Sequence, residues 1–244
     1  MKAYLDNNVW VDIEYGNYSI EAFRQVDIEY FFSDNLVEEL LEAEGNPMVS
    51  PQMRLKMIDS LCGQNFILAG SLNKPDLTVY QSAFERYSEL QKPLYRQMRN
   101  NIKKGQIEVD KLDRERLLKL FGLRRIEMNN IAPVEILGKV DILLEDVNIN
   151  GVNHYLLLCE AQGRAVYLTL FNLLDYLCYW PDKKTERSAI ARCVDASHAY
   201  SAQVCDYLIT NDKRMIAKAQ AVYSYLGVNT KVLAATDFLK VLNE

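Results

Sequence analysis

Histidine is nearly absent from the 244-residue chain, which has two, and its five cysteines form no Cys-x-x-Cys pair. A zinc site of the usual Cys/His kind is therefore disfavoured. The cysteines, Cys62, Cys159, Cys178, Cys193 and Cys205, are odd in number, scattered and embedded in apolar runs. That usage points to reduced core thiols and a cytoplasmic protein. An excess of basic charge is also missing: the net charge is -5, which argues against broad adhesion to nucleic acid but not against a local basic face. No long uninterrupted apolar run occurs. The most apolar stretch, Tyr155 to Trp180, contains Glu160, Gln162, Arg164, Asn172 and Asp175, so it reads as a buried helix and no membrane association is expected. The opening MKAYLDNNVW has no h-region of a signal peptide.

What is present is the composition of a globular protein, 49% hydrophobic and 25% charged. The length suits one domain carrying a sizeable insertion. Lys2 to Leu5 reads as a short strand ending in Asp6-Asn7-Asn8, and Val9 to Ile13 as the start of a helix or turn. Ser33-Asp34-Asn35 opens a helix whose apolar residues Leu36, Val37, Leu40 and Leu41 share one face and which Gly45 closes. From Pro47 to about Lys184 helical patterns dominate, over Gln52 to Cys62, Leu77 to Lys104, Lys111 to Leu120, Val134 to Leu144 and Tyr155 to Tyr179. Asn150-Gly151 is compatible with a hairpin, but its Leu-rich flanks favour a helix-to-helix turn. Beyond it, Thr185 to Gln203 reads as helix, Tyr207 to Thr210 as strand, Lys213 to Leu226 as helix ending at Gly227, Thr230 to Ala234 as strand and Thr236 to Leu242 as helix. Strands alternating with helices at both ends predict an α/β core, residues 1–45 and 185–244, with residues 46–184 inserted as a helical region.

Four acids stand where such a core would gather them. A helix of about nine residues from Ala196 travels roughly 14 Å, and a strand of about five residues from Asp206 returns about 16 Å. Asp212 thus comes back beside Asp195. Asp6 also follows a strand, and ligands of α/β sheets sit at the carboxyl ends of parallel strands. On the helix from Asp34, Glu38 and Glu39 flank the apolar stripe on opposite sides, and the helical wheel does not choose between them. Each acid also has a plainer role: Asp195 and Asp212 as helix caps, Asp6 as a turn residue, Glu38 and Glu39 as solvated charges. Two carboxylates at 4 Å repel by about 4 kcal/mol at an effective dielectric of about 20. A gathered cluster would therefore protonate or bind a cation, and an all-oxygen set suits Mg²⁺ or Mn²⁺. Such ions support phosphodiester hydrolysis.

The segments YLDNNVW (Tyr4–Trp10), SDNLVEELL (Ser33–Leu41) and DASHAYSAQVCDYLITNDKRM (Asp195–Met215) resemble the PIN-domain ribonuclease family. The last is similar to the family's D-A-x-H-x-x-x-A followed by D-x-x-x-T-x-D. The resemblance covers the two ends of the chain and not the middle, which is much longer than in a compact PIN toxin. It implies a PIN-like parallel-sheet α/β/α core and a metal-dependent endoribonuclease. Its metal-site acids would be Asp6, Asp195, Asp212 and Glu39, with Glu38 in reserve, around Mg²⁺ or Mn²⁺. Asn8, Thr210, Asn211 and His198 would support them. A toxin or defence effector held by an antitoxin or other regulatory protein, and a homo-oligomer, are extensions of the same resemblance.

Basic residues precede the third motif: Lys183, Lys184, Arg187 and Arg192 could guide phosphates of single-stranded or structured RNA into the site, or form a solvated helix face. Tyr80, Tyr87 and Tyr95 could stack bases, or belong to a core. The alternative function is a non-catalytic RNA-binding scaffold. A phosphatase of the haloacid-dehalogenase type fits less well, because its second Asp would stand where Asn8 is.

Overall fold

A computed structural model describes residues 1–24, 27–43, 50–69, 74–79, 82–92, 118–119, 124–144, 148–149, 152–153, 163–183 and 185–242. Its main sheet is built from β1 (Lys2–Leu5), β2 (Glu29–Ser33), β3 (Asn65–Leu68), β4 (Asp76–Val79), β7 (Tyr207–Ile209) and β8 (Lys231–Leu233), in the order β4-β3-β2-β1-β7-β8. Neighbouring strands are parallel throughout except β3 with β4. The chain builds outward from β1 through β2 and β3, then returns to the other side of β1 with β7 and β8. The direction of winding therefore reverses between β1 and β7, the point at which α/β sheets open a crevice for ligands.

Successive residues of each central strand enter different cores. Tyr4, Phe31, Ile67 and Leu208 belong to one hydrophobic cluster, whereas Ala3, Leu5, Tyr30, Phe32, Phe66, Tyr207 and Ile209 belong to the other. This is the period-two alternation of a strand buried on both faces. On the first face lie α6 (Pro133–Leu144), α7 (Arg164–Tyr176), α8 (Glu186–Ala202) and α9 (Lys213–Leu226); on the second lie α1 (Asn7–Glu14), α2 (Asp34–Glu42), α3 (Pro51–Cys62), α4 (Ala83–Leu90) and α10 (Ala235–Val241). A short α5 (Arg125–Met128) contributes Met128 to the first core. The protein is an α/β fold with a mixed, mostly parallel sheet between two helical layers. Among the described residues no helix is long and apolar enough to cross a membrane.

Residues 46–184 are not wholly helical, in contrast to the expectation from periodicity. β3 and β4 lie within them and extend the main sheet. The run Asn65–Leu68 is too short to display a helical period, and the helix expected from Leu77 begins only at Ala83. There Ser82 and Glu85 form a reciprocal capping box, while Asp76–Val79 pairs with β3 as a strand. The rest of that expected helix, and most of the one at Lys111 to Leu120, lie outside the described residues. A second correction concerns Asn150-Gly151, themselves outside the described residues: the flanking β5 (Asn148–Ile149) and β6 (Val152–Asn153) pair antiparallel. That pairing agrees with the hairpin reading of Asn-Gly rather than with a helix-to-helix turn. The helix read over Thr185 to Gln203 is α8, with Thr185 as its N-cap; the correction there is to Asp195, which stands inside the helix rather than capping it.

Gly227 ends α9 in the left-handed region, φ 66°, ψ 31°, and donates its N–H back to Ser224. An added Cβ there would meet nothing within 4 Å, so Gly227→Ala carries only the backbone penalty of about 1–2 kcal/mol. Urea unfolding should show a lower midpoint at unchanged slope; an unchanged midpoint would contradict this account of the helix end.

Candidate metal centre

The carboxyl ends of β1 and β7 are joined by a small polar lattice. Asp6 follows β1 directly, is 5% exposed and caps α1, its Oδ1 accepting from the Asn7 N–H at 2.8 Å. Its Oδ2 accepts from Asn8 Nδ2 at 2.5 Å and from Thr210 Oγ1 at 2.8 Å. Asn8 also donates to Thr210 Oγ1 at 2.8 Å and accepts the Asn211 N–H on its Oδ1 at 2.9 Å. The first turn of α1 is thus bonded to the end of β7 through Asn8, and the Asp6 carboxylate is fixed in orientation.

Glu39 reaches the same place from α2. Its Oε2 lies 2.8 Å from His198 Nε2, and Asp6 Oδ1 lies 3.6 Å from the same nitrogen. His198, on α8, has its other ring nitrogen 2.6 Å from Tyr4 Oη, which is 2.8 Å from Ser33 Oγ. Burial disfavours the imidazolium, but the Glu39 and Asp6 carboxylates outweigh it and lift His198 to about 9. With the ring protonated both nitrogens donate, Nε2–H to Glu39 and Nδ1–H to Tyr4 Oη, which leaves the Tyr4 hydroxyl free to donate a hydrogen bond to Ser33 Oγ. Ligand atoms of Asp6, Glu39 and His198 lie within 4.8 Å of one another.

Asp6, Asn7, Asn8, Val11, Asp12, Glu39 and Asp195 line one open cleft of about 330 Å³. Burial drives Asp6 upward in pKa, with the Glu39 charge adding and His198 opposing. Asp195, half-buried on α8, is raised well above the usual carboxylate range by burial and then by the charges of Asp6 and Asp212. These shifts are the electrostatic signature of acids held too close together in too little water. A larger cavity of about 740 Å³ opens at the amino ends of β7 and β8, lined by Tyr167, Tyr200, Asp206 and Asn229 among others. Among the described residues the grouping of possible metal-ligating side chains is at the smaller cleft.

Of the acids singled out in the sequence, Asp6, Glu39 and Asp195 meet in this cleft. Asp212 stands apart from its lining: it is exposed and caps α9, accepting from the Arg214 and Met215 N–H groups at 2.7 and 3.3 Å, while remaining near enough for its charge to act on Asp195. Glu38 does not line the cleft; its charge acts on Cys193 instead. Asn8 and Thr210 hold Asp6. Asn211 donates to Asp12 Oδ2 at 2.6 Å and accepts from the Ala235 N–H at 3.0 Å. Asp12 went unremarked in the sequence, although its i, i+4 spacing from Asn8 places both on one face of α1.

Of the basic residues, Lys183 and Arg187 are exposed and Lys184 is outside the described residues. Arg192 corrects the expectation of a phosphate contact: it is fully buried, donating to Asn172 Oδ1 at 2.7 Å and to Asp175 Oδ2 at 3.0 Å. Tyr87 packs against the second core, and Tyr80 and Tyr95 lie outside the described residues. Asp6, Glu39 and Asp195 line the cleft, and among the described residues the side chains whose possible ligand atoms converge are Asp6, Glu39 and His198. His198 Nε2 lies 2.8 Å from Glu39 Oε2, so a protonated His198 offsets part of the charge of these acids. The chain matches no protein-family model, no curated protein and no solved structure.

Because the folded-state value of His198 lies above its ordinary 6.5, its protonation stabilises the metal-free fold fully below about pH 6.5. That contribution fades as pH rises through about 9. Stability measured by denaturant titration in EDTA should fall across this window by on the order of 3 kcal/mol. In His198→Gln that part of the slope should be missing; an equal slope in the variant would mean that another group titrates.

Proposed function

We propose that the protein is a metal-dependent nuclease of the PIN type that hydrolyses phosphodiester bonds, with RNA as its substrate. The observation that carries this reading is the meeting of Asp6, Glu39 and Asp195 in one cleft at the sheet's switch point, from three segments separated widely in sequence. The resemblance of YLDNNVW, SDNLVEELL and DASHAYSAQVCDYLITNDKRM to PIN-domain ribonucleases supports it, as does the placement of Asn8 and Thr210 on the Asp6 carboxylate.

A divalent Mg²⁺ or Mn²⁺ ion held by Asp6, Glu39 and Asp195 would supply Lewis acidity and an activated water for the scissile phosphate. The chain does the rest by positioning. Asn7, Asn8 and Thr210 fix both oxygens of Asp6. His198, itself held by Tyr4, aims Glu39 and offsets part of the local negative charge. Asp212 holds the start of α9 and adds to the field at Asp195. Lys183 and Arg187, exposed near the start of α8, offer charge to the phosphates on either side. A toxin or defence effector silenced by a regulatory protein is the biological setting in keeping with this reading.

One observation favours the alternative, a PIN-fold RNA-binding scaffold without turnover: His198 already stands between Asp6 and Glu39 and neutralises them in part. The two readings diverge in their response to cations. Asp195 has a raised folded-state pKa, so its ionisation costs stability increasingly as pH rises from the ordinary carboxylate range toward the raised value. Asp195→Asn should therefore melt higher than the parent in EDTA at pH 7, lose the upward shift that Mg²⁺ or Mn²⁺ gives the parent, and fail to cut labelled single-stranded RNA. Asp6→Asn should likewise lose cutting. A parent protein that neither shifts with either cation nor cuts, while its RNA affinity survives Asp6→Asn, would be the scaffold.

A further inference from the structure

The segment from Leu177 to Lys183, between α7 and α8, is built at evident cost. Cys178 and Trp180 both adopt left-handed backbone, φ 58° and 46°, a region that large L-residues rarely occupy. A clamp holds them there. The Trp180 N–H donates to Asn129 Oδ1 at 2.6 Å, and the Asp182 N–H donates to Asp175 Oδ1 at 2.7 Å. The Asp182 side chain then takes Lys218 Nζ at 2.8 Å and Arg214 Nη1 at 3.3 Å. Arg214 lies in the first turn of α9, two residues after Asp212, so the segment is fastened at the same end of the sheet as the carboxylate cleft, and the Asp182 charge is felt at Asp195. Within this segment Trp180 is packed in part against the first core and remains partly exposed. Exposed cations belong to the same segment and its anchor: Lys183 follows Trp180 by three residues, and Arg214, 48% exposed, is bonded to Asp182.

An anchored, partly exposed indole on a segment that carries cations, at the same end of the sheet as the carboxylate cleft, has what an unpaired base requires: an aromatic face for stacking and charge for the backbone. We propose that Trp180 is the stacking platform for an unpaired nucleobase of a single-stranded nucleic acid whose backbone enters the carboxylate cleft past Arg214 and Lys183. The substrate is thereby a single strand, recognised by a base face without hydrogen-bond readout of its identity. This rests on the nuclease reading for its substrate class.

The chain has two tryptophans, so the emission change on adding nucleic acid is read against Trp180→Phe, in which the fully buried Trp10 is the one indole left. In EDTA, a single-stranded oligonucleotide of about ten nucleotides should quench the emission, and an abasic strand of equal length and charge should not. By anisotropy with the same labelled strand, Trp180→Leu should bind about tenfold more weakly and Trp180→Phe should recover most of the loss, while Arg214→Gln should weaken single and abasic strands alike and lower the salt dependence. Emission indifferent to the strand, equal quenching by the abasic strand, or no binding of any strand would each overturn the platform. Cleavage with Mg²⁺ is scored separately: cutting without quenching removes the platform and leaves the nuclease, and quenching without cutting removes the nuclease and leaves the platform.

Discussion

The carboxylate of Asp6 is where the two halves of the sheet are tied together. It is almost wholly out of water, and an ionised carboxylate in that position is tolerated only if hydrogen bonds and opposite charge replace its hydration. Three donors do so, from Asn7, Asn8 and Thr210, with His198 nearby as the cation. Two of the donors belong to the start of α1 and one to the end of β7. Satisfying this one acid therefore sets the register between β1 and β7, the orientation of α1 and the depth of the crevice between the two strands.

From that constraint the rest of the acidic cleft follows, together with its tension. Glu39 arrives on α2 because Leu36, Val37, Leu40 and Leu41 bury the opposite face of that helix. Asp195 arrives on α8 because Ala196 and Ala199 allow the helix to lie close to the first core. Packing places these carboxylates together out of water, and burial first, with their mutual repulsion adding to it, raises the pKa of Asp6 and of Asp195. His198 relieves part of it and is held for that purpose by Tyr4 and Ser33. The remaining negative charge lies toward the open cleft, and this is the physical ground for expecting a cation there.

How much of this was legible in the sequence depended on the range of the interaction. Helices with a full apolar face, such as α2 and α9, and the stop at Gly227 are written in local periodicity and end chemistry. So is the pairing of Asp6 with the β1 end and of Thr210 with the β7 end. The strands β2, β3 and β4 are not, because runs such as EYFFS and NFIL are too short for periodicity to separate strand from buried helix; β2 and β3 are decided by parallel neighbours tens of residues away, and β4 by its antiparallel pairing with β3. His198 looked like a supporting residue, and nothing local announces Tyr4, its partner 194 residues earlier. The exposed appearance of Arg192 in a basic run was misleading for the same reason: its partners, Asn172 and Asp175, sit one helix back.

Arg192, Asp175, Lys218 and Asp182 also explain why the cleft can be open and still well defined. Three of the four are fully buried, and such networks are poor sources of net stability compared with apolar packing. Their bonds run from α7 to α8, from α7 to α9, and from α9 to the segment between α7 and α8. Displacing one of these helices would strand a buried charge, a cost added to that of unseating their interdigitated apolar faces. Arg192 lies one turn before Asp195 on α8, and Lys218 faces Asp195 from α9. The network therefore fixes the rotation of α8 about its own axis, and that rotation decides whether Asp195 points to the Asp6 cleft or away from it.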